Sequence, residues 1–212
     1  MTIDRQAPIW MQKGAENPLY GNDALFQAAL KEFSAHSFKD ASLNEILKTA
    51  GMNKGSLYYR FRNKMELYLS LLHRIGMEKI AFFQTDDRQD PSSDFFEAFR
   101  QKAVLGLRFA TQYPLYNALW HRVLAEETSI LHAITACFGK MREDYLSQML
   151  LNARNAGTLR TDIPANAMTV FAAAAMEGLT GLLTPNMGEA EILTCVGQVT
   201  ELLRSGLTGT PS

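Results

Sequence analysis

The stretch Ser42–Phe61 reads SLNEILKTAGMNKGSLYYRF, and its punctuation decides the fold. Ser42 and Glu45 stand three apart ahead of an apolar run. That is the pattern of a capping box, in which the Ser hydroxyl accepts from the N3 amide and the Glu reaches back to the cap's own N–H. Leu43, Ile46, Leu47 and Ala50 then recur at the i, i+3, i+4, i+7 spacing of one helix face. Gly51 falls where a left-handed residue ends a helix. Asn53 caps a new helix almost at once, and Met52 with Leu57 suits a hydrophobic staple across its start.

Two short helices joined by Gly51-Met52-Asn53 form a helix-turn-helix pattern. In such a unit the second helix enters the DNA major groove and the first crosses the backbone. Leu57 and Phe61 are four apart and face the core. Lys54, Gly55, Ser56, Tyr59 and Arg60 point outward, with Tyr58 between the two faces. Gly55 permits close approach. Lys54 and Ser56 can donate to phosphates or bases, and the tyrosine hydroxyls and Arg60 can bind phosphates, which fix register. Lys64 extends the basic patch.

Working outward, Leu25, Phe26, Ala29, Leu30 and Phe33 give a supporting helix from Asn22 to about Ser34–Ser37. After the second helix, Asn63 caps again with Glu66 at N3. A long helix from Lys64 to Gln84 would span roughly 31 Å. Residues 1–21 carry Pro8, Gly14, Pro18 and Gly21 without a strong period and read as an arm. Its Arg5 and Lys13 could reach a minor groove, but the expectation is a disordered arm. The polar segment 85–93 reads as a linker. Further helices are expected at about 93–112, 114–125, 127–155, 164–184 and 189–206. Gly157 stops the third of these, Pro164 opens the fourth, and Pro185 and Gly188 separate the last two. No run alternates as a strand does, so the fold class is all-α.

Composition excludes several alternatives. The 212 residues are 47% hydrophobic and 20% charged, enough to bury a core without staples. Cys137 and Cys195 form no CxxC pair, which removes a zinc ribbon and a disulfide scaffold. No signal-peptide pattern opens the chain, and the apolar stretch Ala167–Met176 is too short to span a bilayer, so a cytoplasmic, reduced protein is the expectation. The net charge of −1 hides an asymmetry. Residues 1–75 hold ten Lys/Arg against seven Asp/Glu, and residues 76–212 hold eleven against fifteen. Lys48, Lys54, Arg60, Arg62 and Lys64 come with no acid between Glu45 and Glu66, a patch suited to a polyanion. The residues three before His36, His73, His121 and His132 are Phe33, Ser70, Ala118 and Ser129, so the Glu-x-x-His pairs of a di-iron bundle are missing. Nor is there an HExxH, GxSxG, GxGxxG or P-loop spacing. No enzyme, cofactor or metal is expected.

Residues Ala41–Leu67 closely resemble the DNA-binding domain of the TetR family of bacterial transcriptional regulators, above all in the Gly-x-Leu-Tyr-Tyr-x-Phe-x-x-Lys core from Gly55 to Lys64. Ala28–Phe33 matches that family's first helix, and the resemblance covers about residues 20–75. Departures are Ser37 where the family often has Gly, Ala41 where it has Thr, and Arg60 where it has His. Ser42 can supply the phosphate contact that Ala41 forgoes, and Arg60 keeps a donor with a permanent charge.

The resemblance implies an N-terminal three-helix helix-turn-helix domain at 22–75 behind an arm at 1–21. It also implies a C-terminal helical effector-binding and dimerisation domain at 76–212. It further implies a homodimer paired through about 164–184 and 189–206, a double-stranded DNA operator of palindromic form, and a small-molecule effector that releases a repressor. The family places the effector among the middle helices, here about 93–155. Phe109, Tyr113, Tyr116, Trp120, His121, Phe138 and Met141 are candidates by type, and they suit a hydrophobic or aromatic ligand. His121 and His132 have no acidic or Cys partner in register, which argues against metal.

Overall fold

A computed structural model describes residues 7–85, 94–181 and 188–208, apart from the side chains of 140–145, 180–181 and 189. Among the described residues the chain is helical throughout, with ten helices and no strand. In chain order they are α1 (Ile9–Lys13), α2 (Asp23–Ala35), α3 (Leu43–Ala50), α4 (Lys54–Arg60) and α5 (Lys64–Gln84). Then come α6 (Phe95–Gln112), α7 (Pro114–Leu124), α8 (Thr128–Asn155), α9 (Ala165–Gly181) and α10 (Glu189–Thr208). The all-α expectation is met, and α2 to α5 start and stop within about a residue of their sequence signals. Positions 86–93, which include most of the expected linker, and positions 182–184 of the expected fourth late helix lie outside the described residues, as do Arg5 and Pro185.

The chain forms two compact units, one of residues 1–82 with 113–140, the other of 83–112 with 141–212. In the first, α2 packs on both α3 and α7. Leu25, Phe26, Leu30, Phe33, Ile46, Leu57, Phe61, Leu67 and Tyr68 make one continuous core there. In the second, α6, α9 and α10 pack on one another, around Phe96, Phe99, Met168, Ala172, Val196 and Leu203. Gly157, with φ of 75°, ends α8 as its place in the sequence suggested.

The lead departs from the expectation of a bare arm. Residues 9–13 form α1, and Trp10 and Leu19 are buried in the first unit. The reason is a row of fastenings to α5. The Trp10 indole N–H donates to Ser70 Oγ at 2.9 Å, and the Asn17 amide donates to the Ser70 carbonyl at 2.8 Å. Ile9 N–H donates to Glu66 Oε1 at 3.3 Å, and Arg74 donates to the Leu19 carbonyl at 2.8 Å. Glu66, Ser70 and Arg74 follow one another at four-residue steps, so the lead lies along one stripe of α5. Covered on that stripe as well as by the core, α5 is buried all round from Met65 to Leu71.

Candidate nucleic-acid interface

The reading pair is built from local capping. Ser42 Oγ accepts from the Glu45 N–H at 3.3 Å and starts α3. The reciprocal half of the expected capping box is not made. The Ser42 N–H instead donates to Glu32 Oε1 of α2 at 2.7 Å, and Glu45 pairs with Lys48 at 3.6 Å. A carboxylate from the neighbouring helix does the same task as a local one and also ties α3 to α2. Gly51 takes φ 65°, and Met52 N–H closes back on the Leu47 carbonyl at 2.9 Å. These are the left-handed residue and six-to-one bond of a Schellman stop. Asn53 Oδ1 then accepts from Ser56 N–H at 2.8 Å and starts α4 within three residues.

On α4, Leu57 is buried, and Phe61 is buried just beyond the helix end. Lys54, Gly55, Tyr58, Tyr59 and Arg60 are exposed, and Ser56 is half-buried. Tyr58 is 53% and Tyr59 90% exposed, a large aromatic area to leave in water. The Arg60 guanidinium leans back on the Ser56 carbonyl at 3.2 Å through Nη1, which holds it beside the helix end with further donors to offer. A Cβ at Gly55 would meet only Asn53 Oδ1, at 3.4 Å. The bare backbone there is therefore not forced by packing, and it leaves that end of the helix flat.

Lys64 is placed differently from the others. Its ammonium donates to the carbonyls of Lys39, at 3.1 Å, and Ala41, and lies 5.1 Å from the centre of the Phe38 ring. Burial lowers its pKa, against the opposing pull of Asp40, Glu32 and Glu126. Two of its three N–H groups thus organise the α2–α3 loop. Ser42, half-buried, is occupied as the α3 cap. Sequence reasoning missed Glu66. This buried carboxylate accepts from Arg62 N–H at 2.7 Å, from Arg62 Nε at 3.3 Å and from Ile9 N–H, joining the α4–α5 turn to the lead. Its N3 position signalled only a cap.

Comparison with known proteins agrees with this geometry. The family described as bacterial regulatory proteins, tetR family, matches residues 25–71, the span from α2 into α5. The probable acrEF/envCD operon repressor of Escherichia coli (strain K12) is 26% identical over 96 residues, 45% of this chain and 43% of that protein. Residues 25–71 carry a TetR-type DNA-binding domain.

TetR-type architecture also recurs over nearly the whole chain. A TetR family transcriptional regulator from Chloroflexus aurantiacus J-10-FL superposes with a TM-score of 0.69 at 20% identity, covering 97% of this chain and 100% of that one. The regulator FadR from Bacillus subtilis, solved in complex with stearoyl-CoA, gives 0.71 at 15% identity, covering 87% and 98%. At these identities the likeness is one of fold, and the match to the curated repressor spans less than half of its length. TetR-family regulators are DNA-binding proteins without enzymatic activity.

The effector candidates are distributed over both units. Tyr113, Tyr116, Trp120, His121 and Phe138 belong to the first unit and Phe109 to the second, while the side chain of Met141 lies outside the described residues. Tyr113 and Tyr116 stack with centroids 5.0 Å apart. Tyr116 meets Phe26 edge-on at 6.2 Å, and its hydroxyl donates to Glu78 Oε2. Burial first, then that bond, pushes the Tyr116 pKa well up. Glu78 in turn accepts from Arg74 at 3.0 Å, and Arg74 bonds Asp23 at 2.8 Å. Tyr116 is thus tied through Glu78 and Arg74 to the first turn of α2. Trp120 and Phe138 are half-buried against the first core, Phe109 is buried in α6, and His121 is exposed. Among the described residues no cluster of His, Cys, Asp and Glu could hold a metal ion, and no helix is long and apolar enough to cross a membrane.

Proposed function

We propose that this chain is a ligand-responsive, DNA-binding transcriptional regulator. It acts as a homodimeric repressor, released from a palindromic operator by a small hydrophobic or aromatic effector. The observation that carries the reading is the face of α4. Lys54, Gly55, Ser56, Tyr58, Tyr59 and Arg60 present donors, charge and flat backbone to solvent, while Leu57 anchors the helix from behind. Ser42 and Lys64 stand at the margins, where each has a remaining donor to offer a phosphate. In this reading residues 22–75 read DNA. Residues 76–212 supply dimerisation and effector binding, with Phe109, Tyr113, Tyr116, Trp120, His121, Phe138 and Met141 as effector candidates. The described part of the lead, residues 7–21, braces α5.

Dimerisation is supported by α9 and α10. Val170 and Leu202 are each 69% exposed and Phe171 is 51% exposed, an apolar surface that a second copy would cover. A two-fold axis then presents two α4 helices to successive grooves about 34–36 Å apart. An effector releases the operator only by binding the non-reading arrangement better than the reading one. The Bacillus subtilis FadR structure, which shares the fold, holds stearoyl-CoA, whose acyl chain is long and apolar and whose CoA portion is charged.

The test is fluorescence anisotropy on duplex DNA from the region upstream of the chain's own gene, at two salt concentrations. The reading expects tight binding that survives excess random DNA, with log affinity falling by about 0.9 per decade of salt for each phosphate neutralised. Failure to bind any duplex at low salt would sink it.

A further inference from the structure

The turn between α4 and α5 carries a cation outside the reading face described above. Phe61 takes extended backbone, with φ −132° and ψ 126°, and is buried. Successive side chains on extended backbone leave on opposite sides, and Arg62 accordingly faces water. It stands in the chain between Arg60 and Lys64. Glu66, in the first turn of α5, is 6% exposed. Both of its carboxylate oxygens are engaged. Oε1 accepts from the Ile9 N–H at 3.3 Å, and Oε2 accepts from the Arg62 N–H at 2.7 Å and from Arg62 Nε at 3.3 Å. The carboxylate is therefore fixed from the lead and from the turn. It in turn holds Arg62 at its backbone and at one nitrogen of its guanidinium.

The two bonds to Arg62 differ in what they require. The 2.7 Å bond uses a backbone N–H, which any residue but proline supplies. Pinning the turn to α5 therefore does not need an arginine. The guanidinium adds the longer bond, through Nε, and the Arg62 side chain stays 44% exposed against 6% for that of Glu66. Its two Nη atoms carry the remaining N–H groups of the fork, and these have no hydrogen-bond partner among the described residues. A guanidinium is planar and rigid, so holding Nε restrains its plane and turns the Nη1–Nη2 edge away from the carboxylate. That edge matches two oxygens of a phosphate. An arginine already restrained also loses less side-chain freedom on binding than a free one.

We propose that Arg62 is a further DNA-binding residue, taking a backbone phosphate on its Nη1–Nη2 edge, and that Glu66 is the positioning residue that aims it. This role rests on the proposed DNA-reading function and extends the contact beyond α4. In a helix-turn-helix the start of the second helix meets the base edges. The turn at its far end is suited to the phosphates that border the groove, which fix register without reading sequence. Glu66 is buried and meets no DNA. Its negative charge opposes a polyanion, so any benefit it brings to binding acts through Arg62.

Anisotropy titrations of the full chain over a salt series test both parts. Arg62→Ala keeps the backbone N–H and should leave the melting temperature within about 3 °C. It should weaken upstream and random duplexes alike, by about tenfold at low salt, and make the salt slope shallower by about 0.9 per protomer. Arg62→Lys keeps the charge but not the fork, so the slope should stay while affinity falls less than in Arg62→Ala. A slope unchanged in Arg62→Ala overturns the phosphate contact. Glu66→Gln removes a negative charge, which by electrostatics alone would tighten binding to DNA. Loss of aiming should instead weaken both duplexes by about threefold or more, and that loss should vanish in the Arg62→Ala background. Tighter or unchanged binding, or an equal loss in both backgrounds, overturns the positioning role. Glu66→Asp draws the carboxylate back by one methylene and serves the same cycle where the amide variant fails to fold. A wild type that binds no duplex refutes the DNA-reading function and the role of Arg62 with it. A wild type that binds, with the slope unchanged in Arg62→Ala, refutes the role of Arg62 alone.

Discussion

Large side chains stand in water on α4 and again on α9 and α10, and the two sets keep different company. On α4, Tyr58 and Tyr59 lie between Lys54 and Arg60. On α9, Val170 and Phe171 sit in a helix of 17 residues whose one charged side chain is Glu177, and on α10 Leu193 and Leu202 are exposed. A hydroxylated ring beside a guanidinium can exchange water for phosphate oxygens at little loss. An aliphatic side chain has only other apolar surface to gain, at about 25 cal/mol per Å² covered. The same degree of exposure therefore points to a polyanion on one helix and to a second copy of the chain on the others.

The sharpest way to break that contrast is to charge the aliphatic surface. Val170→Glu combined with Leu202→Glu should cost the isolated fold less than about 0.5 kcal/mol, because both positions are already solvated. Across a dimer seam, unpaired buried carboxylates cost about 3 kcal/mol or more. Sedimentation velocity should show self-association weakened more than about a hundredfold. Unchanged association would move the dimer surface elsewhere. Next in size is Arg60→Ala. Loss of a charge-assisted bond of about 2 kcal/mol should lower DNA affinity about thirtyfold on upstream and random duplexes alike. It should also make the salt slope shallower by about 0.9 per protomer. A loss confined to one base pair would instead make Arg60 a base reader.

Smaller effects refine the α4 side of the comparison. Ser56→Ala should cost about 1 kcal/mol, and only on duplexes carrying one particular base pair, if the hydroxyl reads an edge. A panel of single-base-pair operator variants tests this, and a uniform loss would reassign Ser56 to phosphate. Tyr59→Phe keeps the ring and removes one neutral donor. It should weaken every duplex by about 0.5 kcal/mol. No measurable change in anisotropy would mean that the ring works by stacking or shape alone.

The helix-turn-helix was legible because its determinants are local. Ser42, Asn53, Asn63 and Gly51 each act within about one turn, so caps read from sequence spacing reappear as bonds to Glu45, Ser56, Glu66 and the Leu47–Lys48 carbonyls. What stayed hidden is contact across long sequence separations. Trp10 meets Ser70 at a separation of 60 residues and Phe38 meets Glu126 at 88. Periodicity carries no signal for either, and a lead without a repeat reads as an arm even when a single tryptophan fastens it. The capping box failed in half because Glu32 and Glu45 offer the same carboxylate, and only packing chooses between them. Aromatic type alone likewise could not divide Phe109 from Tyr113 and Tyr116, whose places follow from which unit each helix joins.

The wedge made by Trp10 has an optical consequence. The chain has two tryptophans, Trp10 and Trp120, and both belong to the unit that contains α2 to α4. Light emitted under selective indole excitation therefore comes from that unit alone, without any label. The Trp10 ring lies 4.4 Å from the His73 imidazole, whose pKa burial lowers. A protonated imidazole at that distance drains the excited state of an indole, so acidification should dim Trp10 as His73 takes up its proton. The brightness of the unmodified protein thus becomes a gauge of how firmly the lead is seated on α5.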